Sequence, residues 1–205
     1  RDSMGMVQVI RPGDVGFMTA GSGVTHTERT PAEVRSPGPF TMHGYQVWVA
    51  LPKDLVEMSP QFEYHPREAI PTWKSASVTY KLVAGNAFGR SAPLQGFTSL
   101  FMVDLYAKQA STINLQNELK GEVAFVIVKG EISTPAGKVK AGQMLVSKTN
   151  EQCEICMQGE TQLLLFGGQP LKDEPLLMWN FVAYDKDRLQ KARQDWISKK
   201  FPKVP

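Results

Sequence analysis

Short apolar runs of Val, Ile, Leu, Phe and Tyr recur along the chain, each bounded by Gly, Pro, Asn or Ser: MVQVI from Met6, YQVWVAL from Tyr45, SVTYKLVAG from Ser77, SLFMVDLYA from Ser99, EVAFVIV from Glu122, QMLVS from Gln143 and QLLLF from Gln162. Regular short strands with turn residues between them predict an all-β sandwich or barrel rather than alternating strands and helices. One segment departs from this rhythm. In DKDRLQKARQDWISKKF, Leu189, Ala192, Trp196 and Lys200 fall on one helical face, and Asp185 stands where an N-cap belongs.

The pattern also repeats. VIRPGDVGFM (Val9 to Met18) and KVKAGQMLVS (Lys138 to Ser147) each carry a strand, a small residue or Pro before Gly, and a second apolar strand, with Gly13 and Gly142 129 residues apart. Pro12 and Gly13 suit the centre of a type II turn, where Gly supplies the positive φ. GYQVWVALP and ETQLLLFGGQP close the two copies, and pairing Gln46 with Gln162 gives a spacing of 116, which assigns 13 extra residues to the first copy, within TPAEVRSPGPFTMHG. The expectation is two related β domains, residues 1–110 and 111–205, the second ending in the helix. The chain starts abruptly at RDSMG, which reads as a beginning in mid-domain with the opening strands of the first copy missing.

Composition narrows the function classes. The 205 residues are 42% hydrophobic and 21% charged, and no apolar run approaches the ~18 residues that a spanning helix requires. A net charge of +3 without a clustered basic footprint gives no case for direct nucleic-acid binding, and Lys191, Arg193, Lys199 and Lys200 on the last helix are interleaved with Asp and Gln, as on a solvated face. Two cysteines, Cys153 and Cys156, suit a reducing compartment, so the expected location is cytoplasmic. Their C-x-x-C spacing interrupts a β pattern and reads as structural rather than redox or zinc-binding. The glycines of GNAFG read as turns, since no helix pattern follows them.

The chemistry concentrates in HTE. His26 and Glu28, two apart in a strand, project to the same side while Thr27 points the other way. Facing a barrel interior, an imidazole and a carboxylate suit Fe, Mn, Ni, Co or Zn, whereas on an outer face they are ordinary polar residues. At the offset of 129, the second copy replaces the pair with Ile155 and Met157, so a polar interior in one domain corresponds to a filled apolar core in the other. His43, beside a predicted strand, reads as a substitute ligand or as a hydrogen-bond donor behind the ligands, and His65, in EYHPREAIP, as a surface loop residue.

The run PGDVGFMTAGSGVTHTE resembles the second conserved motif of the pirin family, a branch of the two-domain cupins. MHGYQVWVALP, then VEMSP and EAIP, then LVAGNAFGRSAP and the terminal GGQPLKDEP with its closing helix, are similar to that family in order and spacing across nearly the whole chain. The resemblance implies a bicupin of two jelly-roll barrels and a three-His, one-Glu metal site, most often Fe(II), in the first. Of that set only His26 and Glu28 match residues present here, and the other two histidines, in a His-Pro-His motif, are expected upstream of Arg1. A chain holding two of four ligands is expected to bind metal weakly or not at all.

The implied activity is quercetin 2,3-dioxygenase-type ring cleavage of a flavonol with O2, with Glu28 also serving as the base that takes a phenolic proton. Phe17, Met18, Val24, Met42, Val47 and Val49 are the expected apolar pocket walls. The family equally includes proteins that act without turnover, as metal- and redox-sensitive co-regulators binding a protein partner; a sugar or keto-acid enzyme of cupin type is a third class that the same site would support. The expected assembly state is a monomer.

Overall fold

Strands form where an alternating sequence finds a ladder partner and an apolar layer to cover one of its faces. A computed structural model describes residues 1–35, 38–135, 137–147 and 154–205. Its strands are β1 (Val15–Thr19), β2 (Gln61–His65), β3 (Thr72–Ser75), β4 (Val78–Ala87), β5 (Arg90–Ser91), β6 (Leu100–Ala107), β7 (Ser111–Asn114), β8 (Glu122–Lys129), β9 (Glu131–Thr134), β10 (Gly137–Lys140), β11 (Met144–Ser147), β12 (Glu154–Met157), β13 (Thr161–Gly168), β14 (Leu176–Met178) and β15 (Phe181–Ala183). A four-residue helix α1 (Ala32–Arg35) and the longer α2 (Lys186–Ile197) complete the elements used below.

The contacts group the chain into two units. One comprises Gly13–Val15 and His65–Pro170; the other comprises Arg1–Pro12, Gly16–Tyr64 and Leu171–Pro205. This grouping differs from the expected division at residue 110. β4 and β6, from before that point, share one sheet with β8 and β13, from after it, because β13 pairs with β6 on one side and with β8 on the other. The terminal helix likewise belongs with the unit that holds residues 16–64 rather than with the strands that precede it.

The unit around residues 65–170 is built from two antiparallel sheets. One runs in the order β11-β8-β13-β6-β4-β3, with β5 added to β4, and the other in the order β10-β9-β12-β7. Alternation along β6 and most of β4 sends Leu82, Val103 and Leu105 inward; the central β13 buries Leu163, Leu164 and Leu165 in succession, and Leu163 and Leu165 join the others with Phe125, Ile127, Ile132, Ile155 and Met157 in one buried cluster. Each such side chain contributes roughly 1.5–3 kcal/mol by leaving water. The turns follow the expectations: Gly142 has φ +82° in the Lys140–Gln143 turn, and GNAFG forms the β4–β5 hairpin, with Phe88 and Gly89 both at positive φ.

In the other unit, residues 1–3 pair with residues 25–27 through Ser3 N to Thr25 O at 2.8 Å and Thr27 N to Arg1 O at 2.8 Å, and β1 pairs with β2. Asp2 is buried, and its Oδ1 accepts from the backbone amides of Met4 and Met6 at 2.9 and 3.0 Å, which folds RDSMG into a tight loop. α2 starts as expected, with the Asp185 carboxylate accepting from Arg188 N at 2.9 Å. Leu189 is its buried residue; Trp196 instead joins a half-exposed cluster with Trp179 (5.1 Å between rings) and Phe201 (5.9 Å). Tyr184 Oη donates to Leu51 O at 2.7 Å and Arg188 pairs with Glu57 at 2.8 Å, tying the chain end to residues 51–57.

Two expected strands are absent. Residues 6–10 and 45–51 have apolar content and alternation but belong to no strand among the described residues, and Val7, Trp48 and Val49 are more than half exposed. Alternation is permissive only; without a neighbouring strand to take up N–H and C=O groups, it yields exposed chain outside any strand.

Candidate functional site

The HTE segment is held by the ladder to residues 1–3, with His26 in an isolated antiparallel bridge to Asp2. His26 and Glu28 are exposed, and the intervening Thr27 has its hydroxyl oxygen buried without a hydrogen-bond partner, as does Thr25. The side-to-side alternation is therefore as the sequence predicts, but its sense is reversed: Thr27 faces the unit's interior, and the imidazole and carboxylate face open space. Gln46 Nε2 donates to Glu28 Oε1 at 3.0 Å, which holds that carboxylate and leaves Oε2 free to accept.

Gln46 was not among the predicted site residues, although the repeat carried a signal for it. Its paired position, Gln162, also donates its amide to a carboxylate, Asp104 Oδ1 at 3.0 Å. The second-copy equivalents of the ligand pair behave as their chemistry requires. Ile155 and Met157 are each 1% exposed, inside the core between the two sheets.

The expected pocket walls scatter. Phe17 and Met18 are both half-buried but are consecutive in β1, so they project to opposite faces and cannot line one wall together. Val24 is half-buried, whereas Met42 is 81% exposed, and Val47 and Val49 are exposed on a segment that belongs to no strand. His43 is exposed with its ring against Tyr45 at 5.0 Å, and His65 is the half-buried last residue of β2 rather than a surface loop residue. Cys156 lies in β12 with Sγ 3.6 Å from Thr112 Oγ1, and Cys153 is outside the described residues.

Among the described residues no three His, Cys, Asp or Glu side chains converge as a chelated ion requires. His26 and Glu28 have the right donor chemistry for a first-row divalent metal, but two donors do not make the closed or three-ligand set such ions are held by. The chain's own residues thus fit half of a site. Shifted acid–base groups lie elsewhere: Glu160 is held below the usual carboxylate range by hydrogen bonds from Tyr106 and Lys129, and Asp195 by hydrogen bonds from Lys191 and Lys200.

Two antiparallel sheets enclosing an apolar core, repeated turn motifs and one closing helix define a β-rich protein of the cupin class. The chain belongs to the pirin family: residues 1–49 match the model for Pirin, and residues 102–202 match that for the pirin C-terminal cupin domain. A pirin-like protein of Caulobacter vibrioides is 34% identical, over 96% of this chain and 67% of its own length. A Pseudomonas aeruginosa protein, whose name carries a provisional quercetin 2,3-dioxygenase assignment, is 32% identical over 96% of this chain. This chain spans 60% of the length of that relative. A crystal structure of quercetin 2,3-dioxygenase from Acinetobacter baumannii superposes over all of this chain and 67% of its own, with a TM-score of 0.89 and 32% identity. No helix among the described residues is long and apolar enough to cross a membrane.

Proposed function

We propose that the protein takes part in metal-dependent oxidative cleavage of a flavonol such as quercetin by O2 in the cytoplasm, with His26 and Glu28 as two of the ligands to a divalent ion such as Fe(II). The remaining two are histidines of a segment preceding Arg1. The single observation that carries this reading is the contrast between the copies: the HTE pair is exposed, with its carboxylate oriented by Gln46, where the second copy buries Ile155 and Met157. The similarity to a solved quercetin 2,3-dioxygenase supports a flavonol as the substrate class.

A bound divalent ion supplies Lewis-acid polarisation of adjacent substrate oxygens. The chain supplies the rest. Gln46 fixes Oε1 of Glu28, so Oε2 is the atom that accepts, and a carboxylate within hydrogen-bond reach of a phenol suffices as its base. The exposed face of residues 24–28 gives a planar ligand access to that oxygen.

The experiment follows quercetin absorbance and O2 uptake by protein extended to the length of its relatives. His26→Ala is expected to abolish both metal retention and bleaching, and Gln46→Ala to lower turnover on the order of tenfold while metal is retained. A His26→Ala protein that retains its metal and bleaches quercetin at the parent rate would refute the assignment.

A further inference from the structure

In the unit around residues 65–170, β3 ends one sheet and β7 ends the other, so the sandwich has an open seam between two edge strands. A cavity of about 290 Å³ lies in that seam, lined by Trp73, Ser75, Tyr80, Phe88, Thr112, Ile113, Asn114 and Glu118. Both ends are fixed. The hydroxyls of Ser77 and Ser111 lie 2.5 Å apart at one end, and Phe88 N donates to Glu118 O at 3.4 Å at the other.

The aromatic side is built around a strained residue. Phe88 occupies the first central position of a two-residue hairpin turn with φ +51°, where Asn or Gly is normally used and a bulky side chain is disfavoured. Its ring packs edge-on against Tyr80 at 5.3 Å, and Tyr80 stacks on Trp73 at 5.1 Å with an interplanar angle of 11°. Backbone strain retained to hold a side chain at a cavity wall is a mark of a functional constraint.

The ring faces are already used: Tyr80 covers one face of Trp73, and the Arg90 guanidinium lies 4.6 Å from its ring centroid. What remains for a ligand is mainly polar. The Asn114 side-chain oxygen accepts from Gln116 N, leaving its amide nitrogen to donate, and the Ser75 hydroxyl and Glu118 carboxylate make no side-chain hydrogen bond within the described chain. Burial first, and the Glu118 charge second, hold the Tyr80 phenol protonated above its usual range. The carboxylate disfavours anions, and the volume sits at the lower end of ligand pockets, enough for one ring.

From this geometry we infer a second ligand site, in the seam between β3 and β7, for an uncharged polyhydroxylated ring of monosaccharide size, with Asn114 and Ser75 donating and Glu118 accepting from its hydroxyls. It shares no residue with the HTE site, so it stands whether or not flavonol cleavage does.

The test is an NMR titration of the indole N–H signals with D-xylose, D-glucose and myo-inositol, the Trp73 signal being identified by Trp73→Phe. At least one of the three is expected to shift that signal saturably at millimolar concentration, with Asn114→Leu weakening the affinity tenfold or more and His26→Ala leaving it unchanged. Glu118→Gln and Ser75→Ala, both at exposed positions, guard against a folding artefact and are expected to weaken binding with the spectrum otherwise intact. The proposal is overturned if no polyol shifts Trp73 up to about 100 mM, far above the range of a built site. It is equally overturned if the shifts persist unchanged in Asn114→Leu, or if catechol saturates the seam and the polyols do not displace it.

Discussion

Replacing Met157 with Glu asks whether the second copy could hold a ligand where the first does. Met157 is 1% exposed and lies within the cluster of Ile113, Ile132, Ile155 and Leu163. Removing a buried Met side chain forfeits roughly 2–3 kcal/mol of transfer free energy. A carboxylate there has no cation, so the group folds only in its protonated form. At pH 7, about 2.7 pH units above the ordinary glutamate value, that costs about 3.7 kcal/mol. A further 1–3 kcal/mol or so falls on a hydroxyl without a partner.

The total, roughly 7–10 kcal/mol, is comparable with the whole stability of a typical domain. The sign with pH follows from the folded-state pKa being raised above the unfolded value: the ionisation penalty is absent below pH 4, grows as pH rises through the unfolded pKa, and levels off above the folded one. Urea unfolding of Met157→Glu and of the parent at pH 7 and pH 4 is the assay. The variant is expected to be unfolded or nearly so at pH 7, and to recover about 3–4 kcal/mol relative to the parent at pH 4. Equal stability of the two proteins at pH 7 would show that residue 157 is not enclosed, and would remove the contrast between the copies.

Other expectations follow from single contacts. Gly121→Ala places a Cβ 2.0 Å from Gly168 O at a φ of +94°, and is expected to lower the urea midpoint by the equivalent of about 2–3 kcal/mol. Asp185→Ala removes the α2 cap and is expected to cost about 1 kcal/mol in chemical denaturation, with Asp185→Asn recovering most of it. Tyr106→Phe removes the first cause of the depressed Glu160 pKa, so NMR titration of that carboxyl should move up toward the ordinary value. Any stability from Glu160 is present above its unfolded pKa and lost as pH falls through the folded one, and it should be small because the group is solvated.

The parts of the fold that were legible in the sequence are those where each strand's face is decided by its own alternation. SVTYKLVAG, SLFMVDLYA and QLLLF become β4, β6 and β13, and Leu82, Val103, Leu105, Leu163 and Leu165 are core residues because both faces of those strands have definite surroundings. MVQVI and YQVWVAL carry the same signal but lack neighbouring strands, which no local pattern reveals. The grouping of residues 171–205 with residues 16–64 depends on Tyr184 reaching Leu51 and Arg188 reaching Glu57, contacts more than a hundred residues apart. At the candidate site the i, i+2 geometry of His26 and Glu28 was legible, but the outward direction of the pair was not. Gln46 was visible only as a repeat position, because an amide within an apolar run carries no ligand signal until its carboxylate partner is known.

The interleaving of the two units has a consequence for biosynthesis. Residues 65–170 emerge from the ribosome as a continuous stretch whose strands find all their partners within it. Residues 16–64 are made earlier, yet their companions, Leu171–Pro205, are made only after residues 65–170. The segment bearing His26 and Glu28 therefore waits, incompletely packed, while more than a hundred residues of the intervening sandwich are synthesised. During that delay its apolar side chains are open to chaperones and to non-native pairing.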